Sequence, residues 1–148
     1  MKTHFVLIGV AVLLGACAAP PTPPGGAGAP DAGLPDLGCA LPSNCVSSRG
    51  GGGLAPLRYS GTPAQGMALL QAALKGFPEA TVVRSEPLVL ELIFTTPAGF
   101  RDQVDFQLDP QGQRIDFRSR SLFGWFDWGK NRARMQAVQA RFEQQARP

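Results

Sequence analysis

Two alternating runs, Gln103 to Asp109 and Arg114 to Ser121, meet across Asp109-Pro110-Gln111-Gly112. A period of two suits a strand with one buried face, and proline at the second position of a tight turn suits type I geometry, so the pair predicts a β-hairpin. Its register follows from polarity and charge. Pairing Asp109 with Arg114 sets Phe106 beside Phe117, Leu108 beside Ile115 and Asp105 opposite Arg118. A slip of two residues would oppose Asp105 to Asp116, and a slip of one would turn the apolar face to water. A chain carrying this hairpin is committed to an antiparallel sheet.

The flanking segments supply the partners. Thr62-Pro63-Ala64-Gln65 combines a Thr N-cap, Pro in the first turn and Gln three residues on, the signature of a helix start. Met67, Leu70, Leu74 and Phe77 then recur at helical spacing, with Gly76-Phe77 as the expected end. Ala80 to Arg84 is a short β-prone run, and Leu88, Leu90, Leu92 and Phe94 alternate with Val89, Glu91, Ile93 and Thr95. From about Asp127 to Gln145 a second helix carries Met135, Val138 and Phe142 on one stripe, with Arg132, Arg134 and Arg141 largely off it. The expected fold class is α+β: an antiparallel sheet of three to four strands with two helices packed on one face.

The first 36 residues stand outside this fold. Lys2 precedes the apolar run Phe5 to Leu14, which has the length of an export signal and is too short to span a bilayer. Leu14-Gly15-Ala16-Cys17 resembles a bacterial lipobox, so residues 1–16 are expected to be cleaved and Cys17 lipidated. Several acyl chains hold a protein stably where one does so only marginally. Ala18 in place of aspartate implies the outer membrane, facing the periplasm. Residues 17–36, rich in Ala, Pro and Gly, read as a tether, leaving residues 37–148 for a single domain.

The composition removes several chemistries. The sole histidine, His4, leaves with the signal, which takes Ser-His-Asp and Cys-His sites with it and leaves too few ligands for a zinc site of ordinary type. No metal and no cofactor is expected. The net charge of +3 includes Lys2, so the mature chain is only slightly basic and no nucleic-acid partner is expected. Cys39 and Cys45, in an oxidising compartment, pair by default as a disulfide closing a short loop, worth about 2 kcal/mol; the alternative is a redox-active pair.

Two stretches resemble the family known as domain of unknown function 1499. One runs from Cys39 through Asn44-Cys45-Val46-Ser47-Ser48; the other from Arg118-Ser119-Arg120-Ser121 through Gly124, Asp127, Gly129, Asn131, Arg132 and Arg134. The resemblance spans roughly Leu37 to Arg147. The chain departs from the family pattern at Leu122, where arginine is usual, at Phe126, where serine is usual, at Gln103 and at Gly50 to Gly53. The resemblance implies no established activity.

From Arg114 to Arg134 the chain holds six basic and two acidic residues. Arg118, Arg120, Lys130, Asn131, Arg132 and Arg134 form a candidate anion site beside the start of the second helix, where backbone N–H groups favour a phosphate, carboxylate or lipid headgroup. The competing reading has Asp127 capping that helix and Arg118 pairing only with Asp105. Trp125, Phe126 and Trp128 crowd one turn and form a candidate contact surface for a protein partner or membrane interface, unless the tryptophans bury against the end of the sheet. The sequence therefore favours a non-catalytic, membrane-anchored envelope lipoprotein that binds an acidic small molecule, a lipid headgroup or an envelope protein. The alternative is a hydrolase or transferase acting on an anionic envelope substrate through carboxylates such as Asp102, Asp105 and Asp127; a third is a purely structural role.

Overall fold

A computed structural model describes residues 33–50 and 53–147. The export signal, Cys17 and residues 17–32 of the expected tether lie outside the described residues. In chain order the elements are β1 (Cys45–Ser47), β2 (Leu57–Arg58), α1 (Pro63–Leu74), β3 (Ala80–Glu86), β4 (Val89–Thr95), β5 (Arg101–Asp109), β6 (Arg114–Ser121) and α2 (Lys130–Ala146).

The class is α+β, but the sheet has six strands, not three to four. Its order is β1-β6-β5-β4-β3, with β2 also paired to β6, and every pairing is antiparallel. The additional strands, β1 and β2, share one edge of β6, opposite Ser119 and Ile115 respectively. At three and two residues they are too short to display alternation, so their strand character arises from pairing with β6 alone.

The β5–β6 ladder has the register that polarity requires: Asp109 opposite Arg114, Phe106 opposite Phe117 and Asp105 opposite Arg118. The turn is closed by a side-chain oxygen. Asp109 Oδ1 accepts from the backbone N–H of Gln111 and Gly112, at 3.1 and 3.0 Å, and Gln113 closes the loop at φ 46°. Thr62 and Gln65 exchange the two hydrogen bonds of a capping box at the start of α1.

Alternation gives the sheet two unlike faces. On one, Leu90, Leu92, Phe94, Val104, Phe106, Leu108, Ile115 and Phe117 join Leu70 and Leu74 of α1 with Met135, Val138 and Phe142 of α2 in one core. The other face carries a row of charge across four strands: Arg84, Glu91, Asp105 and Arg118 stand opposite one another in turn. Glu91 and Asp105, adjacent and alike in charge, are each held by the arginine on their outer side, at 3.0 and 2.7 Å. Residues 33–38 cross this face. Arg84 donates to the Gly33 carbonyl and Arg118 to that of Gly38, while Leu37 between them is 2% exposed. The end of the expected tether is thus laid against the sheet.

The backbone N–H groups of Gly112 and Gln111, together with nearby Arg114, hold the Asp109 carboxyl below the usual carboxylate range. A depressed folded pKa means that this turn adds stability above the unfolded value of about 4 and loses it as pH falls through the folded value. Asp109→Asn keeps the acceptor and removes the titration, so the variant should show a shallower loss of stability in acid, measured by denaturant unfolding at a series of pH values.

Candidate functional site

The core face turns polar at one end of the sheet. Along β6 it reads Ile115, Phe117, Ser119, Ser121, and along β5 Leu108, Phe106, Val104, Asp102, with Asp102 opposite Ser121. The stripe of α2 changes in step: Phe142, Val138 and Met135 are followed, one turn toward the N-terminus, by Asn131, which is fully buried. Asn131 therefore meets the serines where the apolar contact ends.

The hydrogen bonds there form one network. Asn131 Oδ1 accepts from Ser119 Oγ at 2.6 Å and from Arg134 at 2.8 Å; its Nδ2 donates to the Asn44 carbonyl at 3.0 Å and to Ser121 Oγ at 3.2 Å. Arg134 also donates to Asp102 at 2.5 Å and lies 4.7 Å from the centre of the Phe94 ring. Asp102 is 3% exposed, so this is a buried ion pair, supported on the arginine side by the neutral acceptors Ser119 Oγ and Asn131 Oδ1.

The same network fastens the turn after β6. Asn44 Nδ2 donates to the Gly124 carbonyl at 2.6 Å, Ser43 Oγ to the Trp125 carbonyl at 2.5 Å, and the Asp127 N–H to the Ser43 carbonyl. Ser43 and Asn44 are themselves restrained by the Cys39–Cys45 disulfide that closes their loop. The turn is held by its backbone, and its side chains point away. Trp128, Phe123 and Trp125 are 88%, 79% and 74% exposed, and Phe126 and Phe100 are also largely exposed. With Thr96, Ser121 and Lys130, these aromatics line a pocket of about 390 Å³ that reaches Asp102 and Asp127. Trp128 sits at φ 51°, a conformation that costs a bulky residue on the order of 1–3 kcal/mol. The Asp127 carboxylate flanks it, accepting from Gly129 and Asn131 N–H at 2.9 and 2.8 Å.

The family model described as protein of unknown function (DUF1499) matches residues 38–142. The chain belongs to this family. No curated protein and no solved structure matches it. The matched region starts just before the disulfide and ends at Phe142, the last buried residue of α2. Among the residues on which the resemblance rests, Asn44, Ser119, Ser121, Asn131 and Arg134 belong to the buried network, whereas Arg118 and Arg120 lie on the opposite face. Leu122 and Phe126, two departures from the family pattern, lie in the exposed turn.

The candidate anion residues are dispersed. Arg118 and Arg120 project from the opposite face of the sheet, where Arg118 is bound to Asp105 and Arg120 donates to Gln103 at 2.8 Å. Asn131 and Arg134 are committed to the network, Lys130 lines the aromatic pocket, and Arg132 lines a separate cleft beside Cys39 and Cys45. The Asp127 carboxylate takes helix-start N–H groups that an anion would use. Trp125, Phe126 and Trp128 are brought together, and Phe123 and Phe100 join them. Phe123 precedes a glycine and Phe100 follows one, a local sign of a turn in the sequence.

Removing one side of the buried pair strands the other. Arg134→Ala should lower unfolding free energy by about 3–5 kcal/mol, and adding Asp102→Leu should restore much of it, since the loss is mainly that of an unpaired buried charge. Denaturant melts of the single and double variants measure this.

Proposed function

We propose that this is a lipid-anchored envelope protein whose domain is a non-catalytic binding module, working through the aromatic turn after β6. One observation carries the reading. Five large aromatic side chains stand exposed around one pocket while the polar groups beneath them are bound to one another. Burying an aromatic side chain of this size contributes roughly 1.5–3 kcal/mol, and a contiguous apolar patch kept in water marks a contact site. The buried network supports the same view, because it makes the turn rigid and so lowers the entropy lost on binding.

Of the carboxylates considered for catalysis, Asp102 and Asp127 both reach the aromatic pocket and Asp105 does not, and each of the three is engaged by other groups. Asp105 lies on the opposite face of the sheet, bound to Arg118; Asp102 is paired with Arg134; Asp127 caps the start of α2. This distribution favours binding over a carboxylate-based hydrolase or transferase. Attachment through Cys17 is read from the lipobox, and with it the place in the cell envelope.

Two measurements test the proposal. Labelled palmitate should enter the full chain in a lipoprotein-processing host and be lost in Cys17→Ser. Trp125→Ala/Trp128→Ala should abolish most binding of an apolar fluorescent dye while changing stability by less than about 0.5 kcal/mol per site, as expected of exposed positions. A palmitate-free chain would remove the anchor, and undiminished dye binding would remove the aromatic turn as the contact surface.

A further inference from the structure

We infer that the partner of the aromatic turn is a membrane: the interfacial layer of an anionic phospholipid bilayer. This rests on the proposed binding role of the turn and names its partner. Tryptophan and phenylalanine partition to the boundary between headgroups and acyl chains, where a ring can sit with one side apolar and one side wet. Here Trp125, Trp128, Phe123, Phe126 and Phe100 extend from two neighbouring loops at one end of the sheet.

The charges beside these rings complement an anionic surface. Lys130 lines the aromatic pocket, and Arg101 shares a second cleft with Phe100, Leu122 and Phe123. The nearby acids are engaged within the protein: Asp102 is buried against Arg134, and the half-buried Asp127 carboxylate accepts from the Gly129 and Asn131 N–H groups. Cations at the rim beside carboxylates already bonded within the protein suit phosphate headgroups, each basic residue adding about fivefold to partitioning. The length of chain before the domain agrees. About sixteen residues separate Cys17 from Gly33, and fully extended they span at most about 55 Å, so a lipid on Cys17 would keep the turn at high local concentration near the bilayer.

The chain's two tryptophans, Trp125 and Trp128, both lie in this turn, so its intrinsic fluorescence reports the surface directly. The test reconstitutes the full chain in vesicles of phosphatidylglycerol and phosphatidylcholine, with and without brominated acyl chains, and compares Phe123→Ser/Phe126→Ser and Arg101→Glu/Lys130→Glu, which retain both reporters. Docking predicts a blue-shifted emission quenched by bromine and shielded from aqueous acrylamide, with the ratio of docked to undocked domain lowered at least roughly fivefold per charge reversed and also lowered by the serine pair.

Emission that remains open to acrylamide and indifferent to bromine in a palmitate-bearing chain would overturn docking while leaving the anchor in place. A chain without palmitate that is still quenched on added vesicles would support docking and remove the anchor. A blue shift that depends on protein concentration and not on vesicles would assign the surface to a second copy of the chain, and would also overturn the inference.

Discussion

The side-chain amide of Asn131 is where three parts of the molecule meet. It is fully buried on α2, and it bonds two serines of β6 and the backbone of the loop closed by the disulfide. An amide in such a place has both donors and acceptor to satisfy, and each bond left unmade would cost about 1–3 kcal/mol. The helix can therefore seat against the sheet only in the rotation and register that brings Asn131 to Ser119 and Asn44. Apolar contacts through Met135, Val138 and Phe142 supply most of the attraction but tolerate small slips; the amide does not.

The exposed turn follows from this arrangement. Asn44 accepts from Asn131 through its carbonyl and donates to Gly124 through its side chain, so a bond in the interior is continued to the surface by a single residue. Ser43 beside it adds two bonds to the turn, donating to the Trp125 carbonyl and accepting from the Asp127 N–H. Because the backbone of the turn is held from below, its aromatic side chains are not needed to stabilise it. A flexible loop with the same composition would fold its rings onto the nearest apolar surface.

Much of the fold could be read in the chain because its signals are local. The hairpin register is decided by the opposition of charges and rings over a few residues, and the capping box at Thr62 is complete within four. What could not be read depends on distant partners. The strands Cys45–Ser47 and Leu57–Arg58 exist because β6 has an open edge for them, and residues 33–38 lie on the sheet because Arg84 and Arg118 reach their carbonyls. The site divides in the same way. That Arg118 and Arg120 face away from Arg134 follows from alternation, since Ser119 and Ser121 share the side of Phe117, a parity argument available from the sequence. Gly124 and Gly129 beside Trp125 and Trp128 mark a turn, but that both rings remain exposed does not follow from them, because burial depends on what else covers a side chain.

The strap formed by residues 33–38 also determines how the domain meets mechanical load. Tension arriving from the N-terminal side would reach Gly33 first, where Arg84 holds the carbonyl, and then the attachments at Leu37 and Gly38. The strap ends at Cys39. There the covalent bond to Cys45 passes the force directly into β1 and its ladder with β6, bypassing the loop that carries Ser43 and Asn44. The strap is held by non-covalent contacts and the step after it by a covalent bond, so the loop that carries Ser43 and Asn44 lies outside the direct path of such a force.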